Sequence, residues 1–368
     1  MIITVGAGGV GKTTTAAAVS LLGVTMGRRV LCLTIDPAKR LAQSLGLETM
    51  DGEARIVESE RFEKAGIEAK GTLTAMMLDT KRTFDELVQR LAPTPERAER
   101  VIANKLYRYM STSLAGTDEY MAMEKLLFVK HDPAYDLIVL DTPPTANALD
   151  FLDAPERMIA ALDSAAVRWF VEAFEATGKF SLNILAKSAA IVLRTIGRIT
   201  GGAFLKDIAT LLGEMNELFG GFRDRATKVR EEMRAPDVAF LLVASPSPAS
   251  LREAMFFEEK LREANMPRGA FIVNRFHEPP APDASAADVS AALSRHAGLD
   301  APDLAVRVAL ASKDARRWAE EDAAHVGAAA RGMQRLPVIR IPAFAEDVHD
   351  LVLLHRVAKV LAADGMPS

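Results

Sequence analysis

The sequence has few of the residues that build thiol-based sites or nucleic-acid surfaces. Its 368 residues include one cysteine, Cys32, which excludes an internal disulfide, a CxxC metal clip and a multi-thiolate cluster, because each needs at least two sulfurs. Its 45 Lys and Arg are outnumbered by 49 Asp and Glu, for a net charge of −4. Proteins that bind a phosphate backbone carry a basic excess, so nucleic acid is not expected as the main partner.

Long apolar runs are also missing. The aliphatic stretch 182–199 is interrupted by Lys187, Arg194 and Arg198, and no run reaches the roughly 20 residues that span a bilayer. The start, MIITVGAGG, has no basic region ahead of an apolar one, unlike a secretory signal. We therefore expect a protein of the reducing cytoplasm without stable membrane insertion.

Short apolar runs rich in β-branched residues recur at helix-length intervals. They are IITV (2–5), RVLCLTI (29–35), DLIVL (136–140), VAFLLVA (238–244), GAFIVN (269–274) and PVIRI (337–341). Their apolarity is continuous rather than alternating, which is typical of strands covered on both faces. The pattern predicts an α/β fold with a mostly parallel, buried sheet flanked by helices.

Residues 160–235 carry no strand signal and predict a helical insertion, which divides the chain into a sheet-based domain (1–159 and 236–368) and a helical subdomain. Gly201, Gly202, Gly220 and Gly221 are expected to mark helix ends within it. The insertion either packs its own core as a lid or presents an apolar groove to a client segment. Its large apolar residues recur with roughly helical spacing: Trp169, Phe170, Phe174, Ile184, Ile191, Phe204, Leu211, Leu212, Met215, Phe219 and Phe222.

A glycine-rich octamer directly follows the first strand. Residues 6–13, GAGGVGKT, match G-x-x-x-x-G-K-[ST] and lead into the helix-compatible run TTAAAVSLL. In such a phosphate loop the backbone N–H groups surround the phosphates, Lys12 reaches the β- and γ-oxygens, and the Thr13 hydroxyl binds Mg²⁺. The motif predicts a P-loop NTPase. The loop residues predicted to bind the nucleotide are Gly8, Gly9, Val10, Gly11, Lys12, Thr13 and Thr14.

The glycines of this loop also fit the dinucleotide fingerprint G-x-G-x-x-G. In that alternative Asp36 binds a ribose, and the protein is an oxidoreductase that retains NAD(H). The Lys-Thr pair that closes the loop argues against it, because only a triphosphate site needs that pair. A further predicted strand ending in Asp141 also favours the triphosphate site.

Two aspartates at strand ends complete the predicted chemistry. Asp141 follows DLIVL, where a buried strand directs a carboxylate at the magnesium water shell. Asp36 follows RVLCLTI and can accept a proton from, or orient, the water that attacks the γ-phosphate. Such aspartates are otherwise often turn formers, but the adjacent phosphate loop favours a functional role. The sequence predicts Lys12 and Asp36 as catalytic residues, and Thr13, Asp36 and Asp141 as the magnesium site.

The chain resembles the ArsA-type ATPases, the family of the arsenical pump-driving ATPase and of the guided-entry factor that delivers tail-anchored membrane proteins. The likeness covers nearly the whole chain. The segments that carry it are TVGAGGVGKTTTAAAVSLL (4–22), TIDPAKRLAQSLG (34–46), GTDEYMAMEKL (116–126), VLDTPPTANALDFLDAP (139–155), IVNRF (272–276) and RIPAFAEDVHDLVLL (340–354).

The resemblance implies a Mg²⁺-dependent ATPase that binds ATP and ADP, dimerises and changes shape with its nucleotide. By this resemblance Asp36 is the base in switch I, residues 141–147 form switch II, and Asn274 recognises adenine. The insertion lies where targeting members build their client-binding subdomain, which implies a hydrophobic client or partner protein. The residues that would cover the base are Pro342, Ala343 and Phe344.

The sequence departs from the family in its loop, its thiols and its second switch. The family's phosphate loop carries a signature lysine that reaches the facing subunit's nucleotide, and here that position is Ala7. Loss of this cation should weaken dimer closure or slow hydrolysis. The family's metalloid and zinc sites need several thiolates. Switch II reads Pro-Thr-Ala-Asn rather than Pro-Thr-Gly-His, and Ala146 reduces backbone freedom there.

Two functions stay open on these grounds. The first is an ATPase switch that binds a client. The second, argued from Ala7, is a nucleotide-binding regulatory subunit of a heterodimer with weak hydrolysis, because similar bacterial members that lack the lysine work beside a paralogue that supplies it. The six histidines show no metal-ligand spacing and are interpreted as incidental. The C-terminal helix around 348–361 is expected to dock on the sheet rather than on lipid.

Overall fold

The computed structural model describes residues 1–35, 40–47, 50, 52–113, 117–142, 153–157, 159–160, 202–280, 285–333 and 336–363. The strands in these ranges are β1 (Ile2–Val5), β2 (Arg29–Thr34), β3 (Arg55–Ile56), β4 (Thr72–Met77), β5 (Leu137–Asp141), β6 (Ala239–Ala244), β7 (Arg268–Phe276) and β8 (Val338–Pro342). The helices are α1 (Lys12–Thr25), α2 (Arg40–Ser44), α3 (Ser59–Lys64), α4 (Thr80–Leu91), α5 (Pro95–Ala103), α6 (Lys105–Ser113), α7 (Thr117–Lys130), α8 (Gly202–Met233), α9 (Pro248–Glu263), α10 (Ala286–Ala297), α11 (Pro302–Gly332) and α12 (Leu351–Ala363).

The strands form one sheet in the order β3-β4-β2-β5-β1-β6-β7-β8. All neighbours are parallel except β3, which pairs antiparallel with β4. Asp141 at the end of β5 is in register with Thr4 of β1 on one side and Thr34 of β2 on the other. The carboxyl ends of these three strands therefore meet at one edge, where α/β sheets bind their ligands.

The predicted α/β class and all six predicted strands are confirmed. The sequence analysis missed β3 and β4, because TLTAMM combines threonine with alanine and methionine and so lacks the β-branched aliphatic run that marked the others. Four of the six residues of β4 are nevertheless buried, and the strand pairs with β2 along its whole length. The two exposed residues of β3 protect that edge of the sheet.

Each face of the sheet has its own apolar core. In β2, Leu31 and Leu33 contribute to one core and Val30 and Cys32 to the other, as the alternation of a strand requires. Cys32 is completely buried, as expected for a small core residue, and burial raises the pKa of its thiol to about 12.

Helix α1 is buried on nearly all sides because α12 covers it. Leu354, Val357 and Leu361 of α12 join the core that α1 shares with the sheet. The C-terminal helix thus docks onto the sheet layers, as predicted. Within the described ranges, no helix is long and apolar enough to cross a membrane.

Helix α8 is the part of the predicted insertion that the structure describes; residues 161–201 lie outside the described ranges. It runs without interruption through Gly220 and Gly221, so the prediction that these glycines end helices was wrong. A Cβ on Gly221 would lie 2.8 Å from Cδ2 of Leu91 in α4. Gly221 therefore allows α8 to pack closely against α4 and does not end the helix.

The hairpin of α10 and α11 between β7 and β8 was also not predicted as a long element. The sequence indicated only a loop giving way to a helix over 277–292. Helix α11 has 31 residues, far more than a simple crossover needs, and it packs against α9, α10 and β7. Its alanine-rich sequence has strong helix propensity but a sparse apolar stripe, which weakened the sequence signal.

Candidate functional site

In the phosphate loop, residues 6–13, three glycines have positive φ angles, and at two of them a side chain would also collide with a neighbouring strand. Gly6 has a φ of +152°, and a Cβ there would lie 2.0 Å from the carbonyl oxygen of Val243 in β6. Gly11 has a φ of +96°, and a Cβ there would lie 2.1 Å from Nδ2 of Asn274. Any larger residue would be strained and would also collide with a neighbouring strand, so both positions require glycine.

Lys12 opens helix α1 and folds back over the loop. Its ammonium group donates hydrogen bonds to the carbonyl oxygens of Gly6 at 2.9 Å and Ala7 at 2.8 Å, and the residue is 5% exposed. The helix has no acidic residue in its first turn and no side-chain cap. The positive end of the helix dipole and the buried ammonium therefore coincide, which favours an anion at this point.

Asp141 is completely buried at the end of β5. Its Oδ2 accepts a hydrogen bond of 3.1 Å from the Thr34 hydroxyl, and the neighbouring Thr142 hydroxyl donates to the carbonyl oxygen of Thr4 at 2.7 Å. These bonds fix the carboxylate between two strand ends. Asp36 and residues 143–147, the rest of the predicted switches, lie outside the described ranges.

A cavity of about 650 Å³ opens over the loop and runs to the ends of β7 and β8. We call it the loop cavity. Its volume lies within the range of small-molecule sites. The predicted residues that line it are Gly9, Gly11, Lys12, Thr13, Thr14, Asn274, Pro342, Ala343 and Phe344.

Three predicted residues do not line the loop cavity. Gly8 is exposed, whereas Val10 and Asp141 are buried; Thr142, which follows Asp141 in the chain, does line it. Within the described ranges no cluster of three or more His, Cys, Asp or Glu side chains could hold a metal alone. The residues present suit a magnesium ion that takes most of its ligands from phosphates and water.

Asn274 holds the loop to the end of β7. Its Nδ2 donates to the carbonyl oxygen of Val10 at 2.9 Å, and its Oδ1 accepts the backbone N–H of Arg275 at 3.0 Å. A primary amide has two N–H groups, and within the described ranges the second one makes no hydrogen bond and can meet a ligand. The side chain thus forms the part of the cavity wall that is bonded to the loop.

Sequence reasoning missed half of the cavity wall. His277 had been interpreted as incidental, yet it lines the cavity, and its Nδ1 lies 2.8 Å from Oδ2 of Asp322. No local pattern could indicate this pair, because 45 residues separate its members. The other missed lining residues are Gln43, Ser44, Arg275, Glu346, Asp347, Val348 and His349; Thr142, which belongs to the predicted switch II, lines the cavity as well.

Comparison with known proteins shows that the sequence is similar to those of ATPases. The ArsA ATPase family model, described as anion-transporting ATPase, matches residues 1–291, a range that includes the phosphate loop, Asp141 and Asn274. Two similar curated proteins are the ATPase get3 of Aspergillus terreus and the ATPase get3 of Aspergillus niger. Each is 26% identical over 278 residues, covering 73% of this chain and 71% of the relative.

Proposed function

Because the chain belongs to the ArsA family of anion-transporting ATPases, we propose that it is a Mg²⁺-dependent, dimeric switch whose ATP hydrolysis controls the binding of a hydrophobic client or partner protein. ATP hydrolysis itself follows from the family, which favours an active ATPase over a regulatory subunit with weak hydrolysis. The dimer, the client and the residue roles are the proposal.

The observation that carries the proposal is the buried ammonium of Lys12 at the N-terminus of α1, at one end of the loop cavity. Triphosphate oxygens can replace the carbonyl oxygens of Gly6 and Ala7 as its acceptors. Lys12 then stabilises the negative charge that shifts during γ-phosphoryl transfer. Asn274 and the segment 342–344 form the wall for the nucleoside.

Thr13, Asp36 and Asp141 would hold the magnesium ion. The fit is supported by the position of Asp141 at the carboxyl end of β5, where its carboxylate is fully buried and held by Thr34. When bound, the ion neutralises charge on the β- and γ-phosphate oxygens. Asp36 follows β2, adjacent to β5, and is proposed to orient and deprotonate the attacking water.

The client-binding part of the proposal rests on residues 160–235, which we assign as a subdomain separate from the ATPase domain. Helix α8 ties this subdomain to the sheet domain, because Leu211, Leu218 and Phe222 are buried in the core beneath α4 to α7. Leu211 and Phe222 therefore serve the fold. The remaining large apolar residues of the insertion are the candidates for client contact.

Single-turnover hydrolysis by the isolated chain tests the proposal. Asp36→Asn should abolish MgATP hydrolysis while preserving ADP affinity, because the amide cannot take the proton of the attacking water. Asp303→Asn, at the exposed start of α11, is the matched control and should hydrolyse as the wild type does. Equal rates for Asp36→Asn and the control would contradict the assigned role of Asp36.

A further inference from the structure

His277 follows the end of β7 on the wall of the loop cavity and is held at two points by one carboxylate. Oδ2 of Asp322 lies 2.8 Å from the ring Nδ1 and accepts the backbone N–H of the same histidine at 3.0 Å. Asp322 lies on α11, and its side chain is 14% exposed. Both the position and the orientation of the imidazole are therefore set by the α10–α11 hairpin.

This arrangement determines which ring nitrogen can meet a ligand. An ionised carboxylate only accepts hydrogen bonds, so Nδ1 carries the proton and Nε2 is left as an acceptor in the neutral ring. The Trp318 ring, with its centroid 5.6 Å from that of the imidazole, restricts the ring further. The histidine side chain nevertheless remains 44% exposed where it borders the cavity.

The position of His277 along the cavity indicates which part of a nucleotide it meets. The loop cavity is lined by the phosphate loop and, at the end of β7, by Asn274 and His277. Phe276, which precedes His277, pairs with Pro342 at the end of β8. A nucleotide with its phosphates on the loop can place its nucleoside against the wall formed by the ends of β7 and β8. The hydrogen-bond donors of the nucleoside are the ribose hydroxyls and the adenine amine.

We propose that His277, positioned by Asp322, binds the nucleoside half of the nucleotide by accepting a hydrogen bond at Nε2. This inference rests on the proposed function and adds a contact to it. It also gives the hairpin a role, because Asp322 lies beyond residue 291, where the family match ends, and still supports a residue inside the matched range.

The test compares ADP with pyrophosphate, which binds the phosphate loop but has no nucleoside. His277→Ala should weaken ADP binding about three- to tenfold, the value of one hydrogen bond, and leave pyrophosphate binding unchanged. His277→Gln, which keeps an acceptor, should recover part of the loss. Asp322→Ala should weaken the binding of ADP but not that of pyrophosphate. The double variant should bind ADP no more weakly than His277→Ala does.

The outcomes separate this inference from the proposed function. If wild-type protein binds both ligands and His277→Ala binds ADP as the wild type does, the proposed contact of His277 is contradicted. Nucleotide binding at the phosphate loop is then still supported. Equal losses for ADP and pyrophosphate would also overturn it, since they indicate a disturbed loop. A wild-type chain that binds neither ligand would overturn both proposals.

Discussion

The side-chain amide of Asn274 donates a hydrogen bond to the main-chain carbonyl of Val10, joining the end of β7 to the phosphate loop 264 residues earlier in the chain. The same amide occupies the space that a Cβ on Gly11 would need. The loop is therefore shaped by a neighbouring strand as well as by its own glycines, and Asn274 has a structural role in addition to any contact with the base.

Removing this hydrogen bond should weaken the binding of every ligand of the phosphate loop. Asn274→Ala leaves the Val10 carbonyl without its donor and releases one side of the loop, so we expect about a three- to tenfold loss of affinity for both ADP and pyrophosphate. Calorimetric titration of the two ligands measures it. If the affinity fell for ADP and not for pyrophosphate, the amide would contact the base without stabilising the loop.

The missing signature lysine gives a second prediction. In Ala7→Lys a cation becomes available to the nucleotide of a facing copy, and cations supplied in this way accelerate phosphoryl transfer by about 10³-fold or more in related chemistry. We expect single-turnover hydrolysis to rise at least tenfold at protein concentrations that favour dimers. Ala7→Met, of similar length but uncharged, is the control. Identical rates for the two variants would exclude a homodimer that reconstitutes the family's active site.

A buried ion pair attaches α8 to α7. Glu124, with its side chain 2% exposed, accepts hydrogen bonds from Arg225 at 2.7 and 3.1 Å and from the Tyr120 hydroxyl at 2.7 Å. Arg225→Met leaves that carboxylate buried without its cation and should lower the free energy of unfolding by about 3 kcal/mol. Urea denaturation measures the loss, with Lys228→Met on the exposed side of α8 as control. An equal effect of the two substitutions would mean that the pair contributes nothing.

Client binding should depend on large apolar residues of the insertion other than Leu211, Leu218 and Phe222, which are buried in the sheet core. Phe204→Ser with Leu212→Ser should weaken capture of a hydrophobic helical peptide about tenfold or more, because each buried side chain contributes roughly 1.5–3 kcal/mol. Affinity for ADP should not change. Leu310→Ser, which alters an exposed leucine of α11, is the control. A parallel loss of ADP binding in the Phe204 and Leu212 variant would contradict a separate client surface.

Local patterns were sufficient to predict most of the sheet and the loop. The six apolar runs and the glycine spacing are short-range signals, and each corresponds to an observed strand or to the loop. Strand β4 was not predicted because its threonine, alanine and methionine residues lack a β-branched aliphatic run, and its pairing with β2 is visible only in the folded chain. Gly221 was misinterpreted for a similar reason, since its contact is with Leu91, far away in the sequence.

The cavity wall shows more clearly that local patterns do not reveal contacts between residues distant in the sequence. The phosphate end was predictable because one octamer encodes it. The part of the wall proposed to meet the nucleoside comes from the ends of β7 and β8, and the pairing of His277 with Asp322 arises only when the hairpin folds back on the sheet. Asn274 was identified by family resemblance, but its bond to Val10 required the tertiary structure.

Titration of the Lys12→Ala variant with adenine nucleotides tests the central claim most directly. The account predicts that wild-type protein binds ATP and ADP in a magnesium-dependent manner. It predicts that Lys12→Ala binds these nucleotides about 10- to 150-fold more weakly than the wild type, since a charge-assisted hydrogen bond contributes roughly 1.5–3 kcal/mol. The control, Lys359→Ala on the exposed side of α12, should bind as the wild type does. Magnesium-independent binding, or equal affinities of the Lys12 and Lys359 variants, would contradict it.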